Sequence, residues 1–225
     1  MDMKKLAGKE AAEYVQDGML VGLGTGSTAY HMVNAVGERV KNGLRIQAIP
    51  TSKATEEQAR ALGIPLLGID EIDHVDLCID GVDEIDPAFN AIKGGGGALY
   101  REKVVASLAR EVIWIMDESK LVDQIGAFPL PVEIAQYGAK QAIAKMEGYG
   151  WNPVLRVRDG KTFVTDNGNF IADLQLGAGF AIEDVKTKLD GIVGVLEHGL
   201  FLNMCKRILV GCADGTVKTI ENESK

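Results

Sequence analysis

The chain is predicted to be an α/β protein, a doubly wound and mostly parallel sheet, with a smaller α+β domain inserted towards its C-terminal end. Three observations predict this. Over residues 1–120 short apolar runs alternate with segments of helical period, the pattern of β–α repeats feeding a buried parallel sheet. Polar and glycine-rich clusters stand at the ends of those runs, at 22–28, 80–86 and 117–120, and the carboxyl edge of an open α/β sheet is where ligands bind. Beyond Gly126 the order changes to strand, helix, two strands, helix, strand, which is the split βαβ arrangement.

The elements follow in order. Residues 3–15 place Leu6, Ala7, Ala11, Tyr14 and Val15 on one helical face. Residues 19–23 form an apolar strand running into Gly22-Leu23-Gly24-Thr25-Gly26-Ser27-Thr28, and a helix is expected over 29–42. A strand over 44–50 leads to Thr51-Ser52, which caps a helix over 53–62 with Glu56 in the capping position. Residues 65–67 read as a short strand and 75–79 as a buried parallel one. Residues 100–110 have helical spacing, and 111–116 form an apolar strand ending at Asp117-Glu118-Ser119-Lys120.

Phe128-Pro129-Leu130-Pro131 is linker-like punctuation. A strand over 132–135, a helix over 137–147, a hairpin of 154–157 with 162–165 around Asp159-Gly160, a third run at 169–174, a helix over 182–189 and a strand over 192–196 make the small domain. A closing hairpin, 208–212 with 216–220, returns to the first sheet. The expected domains are 1–126 plus 200–225, and 127–199.

Composition limits the function. The chain has 225 residues, 46% apolar and 25% charged, with a net charge of −8, an ordinary globular balance. An acidic chain argues against nucleic acid as a partner, because phosphate-backbone binding wants a basic face. Cys78, Cys205 and Cys212 are odd in number and lack metal-ligand spacing, which fits a reducing compartment. Lys4, Lys5, Lys9 and Glu10 leave no apolar signal core, and no run approaches the roughly 20 apolar residues of a membrane span. A cytoplasmic protein with no membrane partner is expected. His74 reads as a surface residue.

Two loops carry the chemistry. The turn Thr25, Gly26, Ser27, Thr28 between strand and helix suits a phosphate, because glycine lets backbone N–H groups converge and a helix N-terminus is partially positive. It is neither a Walker loop nor the dinucleotide fingerprint, and a capped βα turn without ligand is the alternative. The second stretch holds Asp80, Gly81, Val82, Asp83, Glu84 and Asp86, then Lys93 and Gly94, Gly95, Gly96 and Gly97, with Arg101, Glu102 and Lys103 opening a helix. Three readings of the acids stay open: a solvated loop, a Mg²⁺ site, or acceptors for sugar hydroxyls. Lys93 is either surface or an oxyanion partner. Glu102 is either a helix ion-pair partner or a base facing the glycines, and Lys120 either reaches an anion or is solvated.

Taken together, GLGTGSTA at 22–29, DGVDEID at 80–86, KGGGGAL at 93–99 and REKVVA at 101–106 resemble the type A ribose-5-phosphate isomerase family in order and spacing. The resemblance implies an isomerase/CoA-transferase-like sheet with an inserted ferredoxin-like domain, a homodimer or homotetramer, and no metal or coenzyme. It implies interconversion of ribose 5-phosphate and ribulose 5-phosphate in the non-oxidative pentose phosphate pathway through a cis-enediolate. Glu102 matches the catalytic base, and Asp80, Asp83 and Lys93 match the other catalytic polar residues. Thr25, Gly26, Ser27, Thr28, Gly81, Val82, Gly94, Gly95, Gly96 and Lys120 match substrate-binding positions. Lys4 matches, in loose register, a phosphate-contacting lysine. Val82 stands where the family usually has alanine, and its side chain is expected to face away from the sugar. The competing functions are an acyl-CoA transferase with a glutamate nucleophile and a non-enzymatic sugar-phosphate sensor.

Overall fold

A computed structural model describes residues 2–225. In chain order the elements are α1 (Met3–Ala12), β1 (Leu20–Leu23), α2 (Ser27–Lys41), β2 (Gln47–Pro50), α3 (Lys53–Ala61), β3 (Val75–Gly81), β4 (Glu84–Ile85), β5 (Asn90–Ile92), α4 (Leu99–Ser107) and β6 (Ala109–Asp117). Then come β7 (Leu130–Ile134), α5 (Ala139–Gly148), β8 (Pro153–Leu155), β9 (Val157–Arg158), β10 (Lys161–Thr162), β11 (Phe170–Leu174), α6 (Ile182–Asp190), β12 (Val195–His198), β13 (Leu200–Leu202), β14 (Arg207–Gly211) and β15 (Val217–Glu221). The chain forms two compact units, one of Met1–Val82, Arg101–Lys120 and Asn203–Lys225, the other of Asp83–Tyr100 and Leu121–Leu202.

The first unit is built on a six-stranded sheet of order β15-β14-β6-β3-β1-β2. Its pairs are parallel except β14 with β15. The strand order reverses between β1 and β3, so the crevice at their carboxyl ends is a topological switch point. Side chains alternate along each strand. Val21, Leu23, Leu77, Ile79, Ile113, Ile115 and Leu209 join one core with Ala7 and Ala11 of α1 and Met32, Val33 and Val36 of α2. On the other face, a Cβ placed on Gly22 would lie 2.6 Å from Val105 Cγ1 of α4. Helices therefore cover both faces, and the sheet is doubly wound as expected.

Some local expectations change. Ser52 caps α3 by accepting from Thr55 N at 3.1 Å, but Glu56 stands one residue beyond the capping position and pairs with Arg60 at 2.7 Å instead. The helix expected to reach residue 110 stops at Ser107, because Val75 N donates to Leu108 O at 2.9 Å and Val75 pairs with Ala109. Strand pairing with β3 overrides the helical spacing there. The strand expected at 65–67 is a single bridge, Ala48 with Leu66.

In the second unit, β12-β7-β11-β8 form an antiparallel sheet, the split βαβ order anticipated from sequence. Leu130, Val132, Ile134, Ala172 and Leu174 pack against Ala142 and Met146 of α5 and Val185 and Leu189 of α6. The expected 154–157/162–165 hairpin is divided. Pro153–Leu155 pairs with β11, and only Val157–Arg158 and Lys161–Thr162 pair with each other. Arg156 is the changeover, donating its N–H to Ile171 O at 2.8 Å and accepting from Phe163 N at 2.9 Å.

A three-stranded sheet, β13-β5-β4, was not legible, because its strands are two or three residues long. It draws 83–100 and 200–202 into the second unit, and Ile92, Ile125 and Leu200 join that unit's core. The unit thus starts well before the composition shift at Gly126. Among the described residues no helix is long and apolar enough to cross a membrane.

The contact between Gly22 and α4 is testable by overpacking. Gly22→Ala is expected to lower stability by about 1–3 kcal/mol, read as a lower urea midpoint with unchanged slope. Wild-type stability would show that α4 does not seat on β1.

Candidate active site

In the first unit, β1 ends at Leu23 and turns through Gly24, Thr25 and Gly26 into α2. Beside it Asp80, the next-to-last residue of β3, is fully buried. Asp80 Oδ1 accepts from Thr25 N at 2.9 Å and Gly81 N at 2.7 Å, tying the two strand ends together at the switch point. A Cβ on Gly24 would lie 2.2 Å from that same oxygen, so only glycine fits there.

Thr25 Oγ1 lies 2.7 Å from Thr51 Oγ1, 2.9 Å from Ser52 Oγ and 3.2 Å from Thr55 Oγ1. Thr55 in turn donates to Gly24 O at 3.0 Å. The turn is thus held by hydroxyls from the end of β2 and the start of α3. From sequence Thr51 and Ser52 read as a helix cap, and Thr55 carries no expectation. The signal for them is that β2 is parallel to β1, which brings Thr51 to the same edge.

Gly26, at φ 108°, precedes α2 and offers no side-chain cap. The first helical bond is Tyr30 N to Gly26 O, so the amides of the first turn form an open, partially positive end. Lys4 Nζ donates to Ser27 Oγ at 3.0 Å, adding a full positive charge beside this end. Gly26 and Ser27 are exposed while Thr28 is buried.

Glu102 sits in the first turn of α4 and is 4% exposed. Residues three apart share a helix face, so Glu102 lies on the side of α4 whose Val105 packs on β1. Because β6 runs parallel to β3, α4 returns from the carboxyl edge of the sheet, and Glu102 is at its start. Lys120 is half-buried, just past the carboxyl end of β6. Asp117, before it, accepts from Ser119 N at 3.0 Å. Val82 is buried.

In the second unit, Asp83 Oδ2 accepts from Gly95 N at 2.7 Å. A Cβ on Gly95 would lie 2.6 Å from Asp83 Oδ1. Gly94 and Gly97 have φ of 99° and 92°, and Gly97 N donates to Gly94 O at 2.9 Å, a turn only glycine enters easily. Lys93 is not on the surface: it is 1% exposed, with Nζ 5.1 Å from the Phe201 ring centroid.

The other two acids serve the backbone. Glu84 accepts from Gly126 N at 2.7 Å and Phe128 N at 2.8 Å. Asp86 accepts from Ala88 N and Asn90 N, both at 2.9 Å, and closes the β4–β5 hairpin. The four carboxylates are therefore not one solvated loop. Among the described residues no three His, Cys, Asp or Glu side chains gather as a metal-holding group.

The Gly24–Asp80 contact predicts a loss on overpacking. A Cβ at residue 24 would meet Asp80 Oδ1, Cγ and Cα at 2.2, 2.4 and 2.5 Å. Gly24→Ala is expected to lower stability by about 1–3 kcal/mol, read as a lower urea midpoint; wild-type stability would show that the two groups do not touch.

Residues 47–215 match the family model described as ribose 5-phosphate isomerase A (phosphoriboisomerase A). The ribose-5-phosphate isomerase A of Streptococcus gordonii is 55% identical over 210 residues, 93% of each chain. That of Enterococcus faecalis is 54% identical over 217 residues, 96% of each. The solved ribose 5-phosphate isomerase from Plasmodium falciparum superposes with a TM-score of 0.94 at 39% identity, covering 98% of both chains. A D-ribose-5-phosphate isomerase in complex with phospho-erythronic acid superposes with a TM-score of 0.93 at 37% identity, again over 98% of each. With its switch-point carboxylate, open helix end and glycine run all in the same sequence positions as the quoted motifs, the chain belongs to the ribose 5-phosphate isomerase A family.

Proposed function

We propose that this chain interconverts D-ribose 5-phosphate and D-ribulose 5-phosphate, with Glu102 as the single group that moves the carbon-bound proton. The observation that carries the assignment is the buried Glu102 carboxylate on the sheet-facing side of α4. Family membership supports the substrate. So does the relative holding phospho-erythronic acid, a ligand that combines a phosphate with a carboxylate.

In the open-chain aldose, Glu102 removes the proton from C2 and the electrons move onto the C1 carbonyl oxygen, giving a cis-enediolate. The same carboxyl group returns the proton to C1 while the O2 proton passes to O1, leaving the C2 ketone and a C1 hydroxyl. The transient negative oxygen needs preorganised positive charge. Lys93 and the amides of Gly94 and Gly96 supply it, one such donor being worth about 3–4 kcal/mol, while Gly95 N–H stays on Asp83. Asp80 and Asp83 accept from sugar hydroxyls and pass protons between oxygens. The α2 end at Thr25, Gly26, Ser27 and Thr28, with Lys4 and Lys120, takes the phosphate, and that remote binding sets C2 against the base. Gly81 and Val82 line the sugar, and no metal or coenzyme takes part.

The acidic charge and the cysteine pattern support a cytoplasmic enzyme of the non-oxidative pentose phosphate pathway. The family supports a homodimer or homotetramer, which light scattering would read.

The test is turnover of ribose 5-phosphate in D₂O containing EDTA. Wild type is expected to form ribulose 5-phosphate with deuterium at carbon. Glu102→Gln is expected to lose kcat by about 10³-fold or more, within the range a positioned general base contributes, while sugar-phosphate affinity changes little. A near-normal kcat in that variant removes Glu102 as the base. Loss of wild-type turnover in EDTA, restored by Mg²⁺, would favour metal-assisted phosphoryl chemistry instead.

A further inference from the structure

The glycine run has no side chains with which to hold itself. Four consecutive glycines carry an entropic cost of about 0.5–1 kcal/mol each relative to alanine in a regular element. A donor array of this kind needs an external clamp on its carbonyls, and the second unit contains one.

Arg156, at the changeover between β8 and β9, is 11% exposed, and Asp173 of β11 is 19% exposed. Arg156 Nε donates to Asp173 Oδ2 at 2.8 Å and Nη2 donates to Oδ1, a two-bond fork that fixes the guanidinium plane. The remaining nitrogen, Nη1, donates to Gly94 O at 3.0 Å and Gly95 O at 3.1 Å. Beside it Arg158 Nη2 approaches Gly96 O at 3.4 Å, and its guanidinium lies 4.3 Å from the Phe163 ring centroid. That ring occupies the place a Cβ on Gly97 would take, at 2.5 Å.

We infer that Arg156, held by Asp173, is a positioning residue for the isomerisation: its guanidinium grips the Gly94 and Gly95 carbonyls and so aims the Gly96 amide at the developing oxyanion while keeping the Gly95 amide on Asp83. The inference rests on the reading of Gly94 to Gly96 as substrate-binding residues. In a trans peptide the C=O and the following N–H point in opposite directions. Gripping Gly94 O sends the Gly95 N–H to Asp83, where it is found at 2.7 Å. Gripping Gly95 O turns the N–H of Gly96, an exposed residue, away from the guanidinium. A cation on the carbonyl also polarises the peptide and strengthens the N–H on its far side. Lysine cannot reproduce this, because it is a point charge without the planar fork.

The test compares Arg156→Lys and Asp173→Asn with wild type in the isomerase assay, alongside thermal unfolding and the affinity for ribose 5-phosphate in the Glu102→Gln background. Arg156→Lys is expected to lower kcat by about 10²-fold, the cost of a small misplacement of a catalytic group. KM and ground-state affinity should move less than about threefold, because the amides act on charge that appears only in the transition state. Asp173→Asn, which leaves Nη1 in place but loosens the fork, should fall between the two, and it carries the test if Arg156→Lys does not fold. Wild-type kcat and KM in a folded Arg156→Lys protein overturn the inference. A kcat loss that appears only where the variant is unfolding does so too. A wild type that does not isomerise ribose 5-phosphate overturns the proposed function, whereas an active wild type with an indifferent Arg156 overturns the clamp alone.

Discussion

The first unit depends on one carboxylate oxygen. Asp80 Oδ1 accepts two amides, one from the turn after β1 and one from its own strand end. A buried carboxylate is tolerated only when it is well hydrogen-bonded. Here that need does structural work for the neighbouring loop: it fixes the Thr25 amide, removes any room for a side chain at residue 24, and sets the direction in which α2 starts. The hydroxyls of Thr51, Ser52 and Thr55 hold the same turn from the β2 side. The start of α2 is thereby held from both sides, as the proposed phosphate-binding end would need for preorganisation.

The second unit solves a related problem with different groups. Its glycine run is bounded by Asp83 on the amide side and by Arg156 and Arg158 on the carbonyl side. Arg156 also completes an ion pair with Asp173. On the same strand face, fully buried Glu133 of β7 accepts from Thr165 and Asn169 at 2.8 and 2.9 Å. The loop that follows β10 is pinned in this way to the centre of the sheet. Polar side chains on this face are used to hold backbone, and the apolar core lies on the other face with α5 and α6.

Glycine marks places where another group must pass. Gly22 makes room for Val105, Gly24 for Asp80, Gly95 for Asp83, and Gly97 for Phe163. The first two seat the helix and the carboxylate of one unit, and the last two seat the loop of the other. A glycine is easily seen in a sequence. Which atom fills the space it leaves is not.

The sequence by itself determined the α/β class, the split βαβ order, and the family to which the chain belongs. Apolar runs, turn residues and the spacing of four short motifs are local properties, readable along the chain. Tertiary structure alone decided which backbone each acid holds. Asp80 and Glu84 look alike in DGVDEID, yet one holds Thr25, fifty-five residues away, and the other holds Gly126 and Phe128. It also decided that a bridge of two residues at Glu84–Ile85 is a strand, that α4 ends at Ser107, and that Arg156 grips a loop sixty-two residues earlier. The reason is the same in each case. A hydrogen bond between distant segments is set by where strand pairing brings them, and no local period in the sequence encodes that meeting.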